Sequence, residues 1–268
     1  MSHFPAHPDR RGVVVTGASS GIGAATAMVL GAAGFPLVLG ARRTDRLDDI
    51  AAAVRAEGGE VTTHALDVTD DESVGTFVAV ATEALGTVEV VVSNAGGMAP
   101  QPIASTEPSS FAAQLDVNLV GAQRLCHAAL PAMIERRRGD VVLVTSQNAK
   151  APRPLLAAYN ASKAGLEAYG RTLQMELEGS GVRASIVRPG PTLTEMGWDW
   201  EPDALDRLFA SWKRWGLLRN DHYLPAESIA SAVLAAVSAP RGTNLTLIEV
   251  EPEAPIRPAV TDAEEPTP

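Results

Sequence analysis

Residues 12–23 read Gly12-Val13-Val14-Val15-Thr16-Gly17-Ala18-Ser19-Ser20-Gly21-Ile22-Gly23 and run into an alanine-rich stretch that ends near Ala33. Three successive valines predict a short buried strand, because β-branched side chains suit a sheet covered on both faces. The alanine-rich segment predicts a helix. Between them, the glycines permit a tight turn and close backbone approach. The first N–H groups of such a helix lack partners within it, and that end of its dipole is positive. A strand, a glycine turn and a helix in this order therefore suit a phosphate. The same unit also occurs as a plain strand-to-helix turn without a ligand.

The pattern continues outward. Strands are expected at Leu37–Gly40, Val61–Leu66, Glu89–Val92, Asp140–Thr145, Arg183–Val187 and Leu245–Val250. Helices are expected over about Asp45–Glu57, Asp71–Leu85, Ser109–Arg138, Leu155–Glu178 and Ala226–Ser238. Strands that alternate with helices at this spacing give a parallel sheet with helices on both faces, the doubly wound α/β class. Ligands in such sheets bind beyond the carboxyl ends of the strands. Gly17, Arg42, Asp67, Asn94, Ser146 and Gly190 all fall at strand ends and are expected on one rim.

Composition excludes several roles. The 268 residues carry a formal charge of −10, which disfavours nucleic acid and anionic membranes as partners. No apolar run is long enough to span a bilayer. Cys126 is the single cysteine, so no intrachain disulfide is possible, and its apolar surroundings suggest a small buried thiol in a cytoplasmic protein. No pattern suggests a metal site. Residues 1–11 read as a disordered leader, 12–250 as one domain, and 251–268, acidic and proline-rich, as an extended or disordered tail.

Tyr159-Asn160-Ala161-Ser162-Lys163 places a phenol and an ammonium four residues apart, on one face of a helix. A cation within about 4–6 Å favours the phenolate, so the pair can hand a proton back and forth. Lys150, Lys163 and Lys213 are the only lysines, so a lysine at 163 is a selective choice. All four tryptophans lie between 198 and 215. A helix over 203–215 would put Leu205, Leu208, Phe209, Trp212 and Trp215 roughly on one side, either as a surface helix packed on the sheet layer or as a lid over the site spanning about 192–224.

Taken together, these motifs resemble the short-chain dehydrogenase/reductase family over about Gly12–Val250, with a single Rossmann-like domain. The resemblance rests on Thr16–Gly23, Asp67, Asn94-Ala95-Gly96, Asn118, Ser146, Tyr159-Asn160-Ala161-Ser162-Lys163, and Pro189-Gly190 with Thr194. It implies that Tyr159 exchanges the proton with the substrate oxygen and that Ser146 hydrogen-bonds that oxygen. Lys163 would lower the Tyr159 pKa and hold the nicotinamide ribose, and Asn118 would hold a relay water. The cofactor would meet Gly17, Ser19, Ser20, Gly21, Ile22 and Gly23. It would also meet Asp67, Val68, Asn94, Ala95, Gly96, Pro189, Gly190, and Thr192 or Thr194. Gln147 and Asn148 make one pocket wall unusually polar, and Trp198 and Trp212 are candidate substrate contacts.

The tip of the second strand holds Ala41 where a carboxylate would suit a free ribose 2′-hydroxyl, and Arg42 and Arg43 follow it. A guanidinium suits a 2′-phosphate, so NADP(H) is the expected cofactor. The reading is an oxidoreductase that interconverts a ketone or aldehyde and an alcohol, on a bulky apolar or aromatic small molecule. Alternatives are reduction of a C=N or C=C bond at the same site, or an idle dinucleotide-binding sensor. A homodimer or homotetramer is expected.

Overall fold

The computed structural model describes residues 4, 6–8, 10–197, 200, 202–217 and 222–256. Seven parallel strands form one sheet: β1 (Gly12–Thr16), β2 (Leu37–Ala41), β3 (Val61–Ala65), β4 (Val88–Ser93), β5 (Gly139–Val144), β6 (Val182–Pro189) and β7 (Leu247–Val250). Their order is β3-β2-β1-β4-β5-β6-β7, so the winding reverses between β1 and β4. A crevice opens at such a reversal beyond the strand ends.

Alternation explains the two layers. Val13 and Val15 face one core with Val90, Val92, Val142 and Val144, beneath α1 (Gly21–Ala32), α2 (Thr44–Ala56) and α8 (Ala226–Ser238). Val14, Val91, Val141 and Leu143 face the other core, beneath α3 (Asp71–Leu85), α5 (Gly121–Glu135) and α6 (Ala157–Glu176). Where both faces are buried, as in β1 and β2, the strands read as apolar runs rather than alternating ones.

The long helix expected over 109–138 is α4 (Pro108–Leu115) and α5, joined through a π-turn at Asp116–Val120. That turn swings Asn118 into the interior, where it is 1% exposed. β7 starts at Leu247, two residues later than expected, and β6 extends through Pro189. The last leader residue belongs to the folded body. Arg11 is buried and pairs with Asp140, which also accepts from Arg183 at 2.5 Å, and Arg10 pairs with Glu60. These charges lie at the strand starts, opposite the rim.

After β6 the chain leaves the sheet, forms α7 (Pro202–Arg214) and returns. A bridge between Thr192 and Leu224 closes the base of this excursion, with Leu193 N–H donating to Leu224 O at 2.8 Å. Of the apolar side expected on α7, Leu208 and Trp212 are buried, whereas Phe209 is 40% and Trp215 69% exposed. The inward stripe is therefore narrower than expected. Trp198 lies outside the described residues, as do 257–268 of the tail; Glu251–Ile256 carries no regular structure.

Candidate active site

All six strand-end residues named from the sequence line one cavity of about 890 Å³. One end is the glycine turn. Gly17 has φ 65° and Gly21 φ 52°, and a Cβ on Gly23 would sit 2.2 Å from Gly17 O. Side chains there would close the turn. Ser20 precedes α1 without capping it by side chain, and no acid occupies its first turn. The uncapped N–H groups therefore open onto the cavity, as a dinucleotide pyrophosphate would need.

Asn94 and Thr16 tie β4 to β1 at this end. The Asn94 amide donates to Thr16 O at 3.0 Å and Gly17 O at 3.3 Å, and Thr16 Oγ1 accepts from the Asn94 and Ala95 N–H groups. Asp67 accepts from the Thr69 N–H and hydroxyl, which hold its carboxyl below the usual range. Arg42 is exposed and lines the cavity. Arg43 reaches back to the glycine turn, donating to Ser19 Oγ at 3.1 Å and Ser20 Oγ at 2.7 Å. Glu195, which the sequence did not bring forward, bonds Arg46 at 2.7 Å and lies 3.7 Å from Arg43.

At the other end stand Ser146, Tyr159 and Lys163. Lys163 is 5% exposed, donates from Nζ to Val144 O at 2.9 Å, and sits 5.9 Å from the Tyr159 ring centre. Burial brings its pKa down to about 8. Burial also pushes the Tyr159 phenol up, opposed by the Ser146 hydroxyl. The net shift of Tyr159 is therefore upward, with burial its largest cause. Desolvation of the buried phenol outweighs the opposing hydrogen-bond contribution of Ser146. Tyr159 is held as a neutral acid.

Asn118 has its amide fully engaged. Oδ1 accepts from Gly97 N–H at 2.7 Å, and Nδ2 donates to Gly97 O at 2.8 Å and Ser162 Oγ at 3.0 Å. Its side chain pins the Gly96-Gly97 loop to the Tyr159 helix. Asn148 is buried, with its amide nitrogen spent on Asn160 at 3.0 Å, so it shapes the wall and does not face a ligand freely. Gln147 lines the cavity, and its Oε1 is buried without a partner. Gly190 and Pro189 close the far side; Thr192 Oγ1 bonds Gly190 O, and Thr194 lies against Gly21.

Trp212 joins Leu156, Tyr159 and Leu208 in a small apolar cluster, with Phe209 edge-on at 5.7 Å. Trp200, Leu205, Leu208 and Trp212 line the cavity, so the excursion after β6 forms its apolar wall. Arg153 also lines it and was missed from the sequence. The available signal was its place between Ser146 and Tyr159, a segment that must border the site.

Among the described residues no group of acids, histidines and cysteine could hold a metal, and no helix is long and apolar enough to cross a membrane. Residues 11–205 match the family model for short chain dehydrogenase. The chain is 33% identical over 247 residues to sulfoacetaldehyde reductase 2 of Chromohalobacter salexigens, covering 90% of this chain and 93% of that protein. It is 35% identical over 240 residues to glycine betaine reductase ATRR of Emericella nidulans, covering 89% of this chain but 18% of that protein. An alcohol dehydrogenase of the archaeon Thermococcus sibiricus, complexed with 5-hydroxy-NADP, superposes with a TM-score of 0.77 at 31% identity. That match covers 90% of this chain and 96% of the other. On these grounds the chain belongs to the short chain dehydrogenase family of oxidoreductases.

Proposed function

We propose that this protein is an NADP(H)-dependent oxidoreductase that interconverts a ketone or aldehyde and an alcohol. The observation that carries the reading is one cavity with an uncapped glycine turn and arginines at one end, and Ser146, Tyr159 and Lys163 at the other. The glycine turn would hold the pyrophosphate, and Arg42 and Arg43 a 2′-phosphate. Asp67, Val68 and Asn94–Gly96 would border the adenosine side, and Thr192 and Thr194 the nicotinamide side. The relative crystallised with an NADP derivative supports this choice.

Bound there, a nicotinamide cofactor supplies or accepts the hydride. The protein's own residues handle the oxygen and the proton. Tyr159, kept protonated by burial, donates its proton to the substrate oxygen in the reductive direction. The Ser146 hydroxyl holds that oxygen in place. The Lys163 ammonium, 5.9 Å from the ring, favours the phenolate that remains. At Asn118 a relay water would link Lys163 to solvent. The two relatives whose names identify them as reductases support the reductive direction.

The wall of Trp200, Leu205, Leu208 and Trp212 suits a substrate with an apolar or aromatic body. A cytoplasmic homodimer or homotetramer completes the reading, consistent with one buried free cysteine. The test is consumption of NADPH and NADH with matched ketones, aldehydes, imines and enones. Turnover of carbonyl compounds with NADPH is expected. Turnover confined to imines or enones would replace the reading with C=N or C=C reduction, and no turnover with any class would favour a sensor.

A further inference from the structure

We infer that the substrate carries an anionic group, a carboxylate or a sulfonate, and that Arg153 binds it; the inference rests on the proposed carbonyl chemistry of this cavity. Arg153 is 8% exposed and lines the cavity together with Tyr159 and Trp212. Its guanidinium lies over the Trp212 ring at 4.5 Å. Among the described residues it makes no ion pair within 4.0 Å and donates no side-chain hydrogen bond. Glu251 and Tyr223 act on it only from farther away.

The two other buried arginines among the described residues each form an ion pair. Arg11 pairs with Asp140, and Arg188 pairs with Glu167 and Glu249. A guanidinium held at the wall of a cavity with only an aromatic face beneath it keeps its hydrogen-bond donors available to a ligand. Burial disfavours the charged form of Arg153. A residue serving only to pack Trp212 would need no charge.

The backbone around Arg153 is fixed before any ligand arrives. The Asn160 amide donates to Arg153 O at 2.8 Å, and its Oδ1 accepts from Arg153 N–H at 3.4 Å. Asn160 is the direct neighbour of Tyr159, so the cation is referenced to the proton donor. Pro152 and Pro154 flank Arg153 and restrict its backbone. Leu155 is held at φ 66°, and Gln101 N–H donates to its carbonyl at 2.8 Å. Strained backbone of this kind persists where its surroundings over-determine it, and it clusters at ligand clamps. A preorganised guanidinium also loses little freedom on binding. The carbonyl would face Tyr159 and Ser146, the apolar body would lie on Trp212, and the acid would reach Arg153.

The test uses the full chain with NADPH and three keto acids, benzoylformate, benzoylacetate and benzoylpropionate, each beside its methyl ester. At least one acid should show a kcat/KM roughly ten- to a hundredfold above its ester, the range of a charge-assisted contact. Arg153→Met should collapse that ratio, and Arg153→Lys should restore part of it. Calorimetric binding of the same pairs to the NADPH complex reads the subsite without turnover. Acid binding that depends on Arg153, without turnover, would sustain the subsite and sink the carbonyl reading. Esters turned over and bound as well as their acids, or a ratio that survives Arg153→Met, would overturn the inference and leave the carbonyl reading standing.

Discussion

Glu195 sets an acid beside Arg43, one of the two arginines proposed to hold a cofactor 2′-phosphate. Its carboxylate accepts from Arg46 Nη1 at 2.7 Å and lies 3.7 Å from Arg43, which itself anchors on Ser19 and Ser20. Glu195→Gln removes the charge and keeps the size. The side chains are 32% exposed for Glu195, 49% for Arg43 and 46% for Arg46, so solvent screens them. Freeing the arginines from an exposed pair is worth about 0.2–1 kcal/mol. Repulsion between the carboxylate and one phosphate charge at about 6 Å in water adds roughly 0.7 kcal/mol. Both effects favour phosphate in the variant. NADPH should bind roughly five- to twentyfold more tightly at low ionic strength, and NADH should change little. The gain should vanish near 1 M salt, where the Debye length is about 3 Å. Arg42→Ala should act in the opposite direction, weakening NADPH roughly ten- to a hundredfold. Parallel titrations of both cofactors, at low and high salt, check this. A Glu195→Gln variant whose NADPH affinity falls, or whose two affinities move together, would refute the reasoning.

Two further outcomes follow from burial. Lys163 has a folded-state pKa of about 8 against 10.5 for the free side chain. Between those values the unfolded chain binds a proton that the native chain does not, so stability rises with pH through that window. The penalty is fully present below about 8 and is worth at most about 3.5 kcal/mol at 1.36 kcal/mol per unit. Lys163→Met should therefore melt higher than the parent near neutral pH, with the gap closing towards pH 10; a gap that widens with pH would contradict this. Trp212→Ala removes a buried ring that packs with Tyr159, Leu208 and Arg153, at a cost of roughly 3–5 kcal/mol. KM for aromatic ketones should rise more than the Kd for NADPH, and an unchanged KM would reduce the segment to packing.

Most of the fold was legible because both sheet faces are buried. Val13–Val15 and Val90–Val92 can be read as strands without knowing their neighbours, and the glycine turn marks where the sheet meets its ligand. The convergence of Gly17, Arg42, Asp67, Asn94, Ser146 and Gly190 followed from strand ends alone. What escaped depends on contacts between distant segments. The π-turn at Asn118 has no signature in a sequence read at helical period, and it redirects the side chain to Gly97. The direction of the Tyr159 shift depends on burial, which a four-residue spacing does not report. Arg153 and Glu195 read as ordinary loop charges until the chain brings them to the cavity.

The central claim is that Tyr159 supplies the proton for carbonyl reduction within an NADPH site. Tyr159→Phe removes the phenol oxygen and keeps the ring against Leu156 and Trp212. The direct measurement is single-turnover NADPH oxidation with a ketone that the parent reduces, alongside the Kd for NADPH. The account predicts a rate lower by a factor on the order of 10²–10⁴ with NADPH affinity nearly unchanged. A rate close to that of the parent would contradict it.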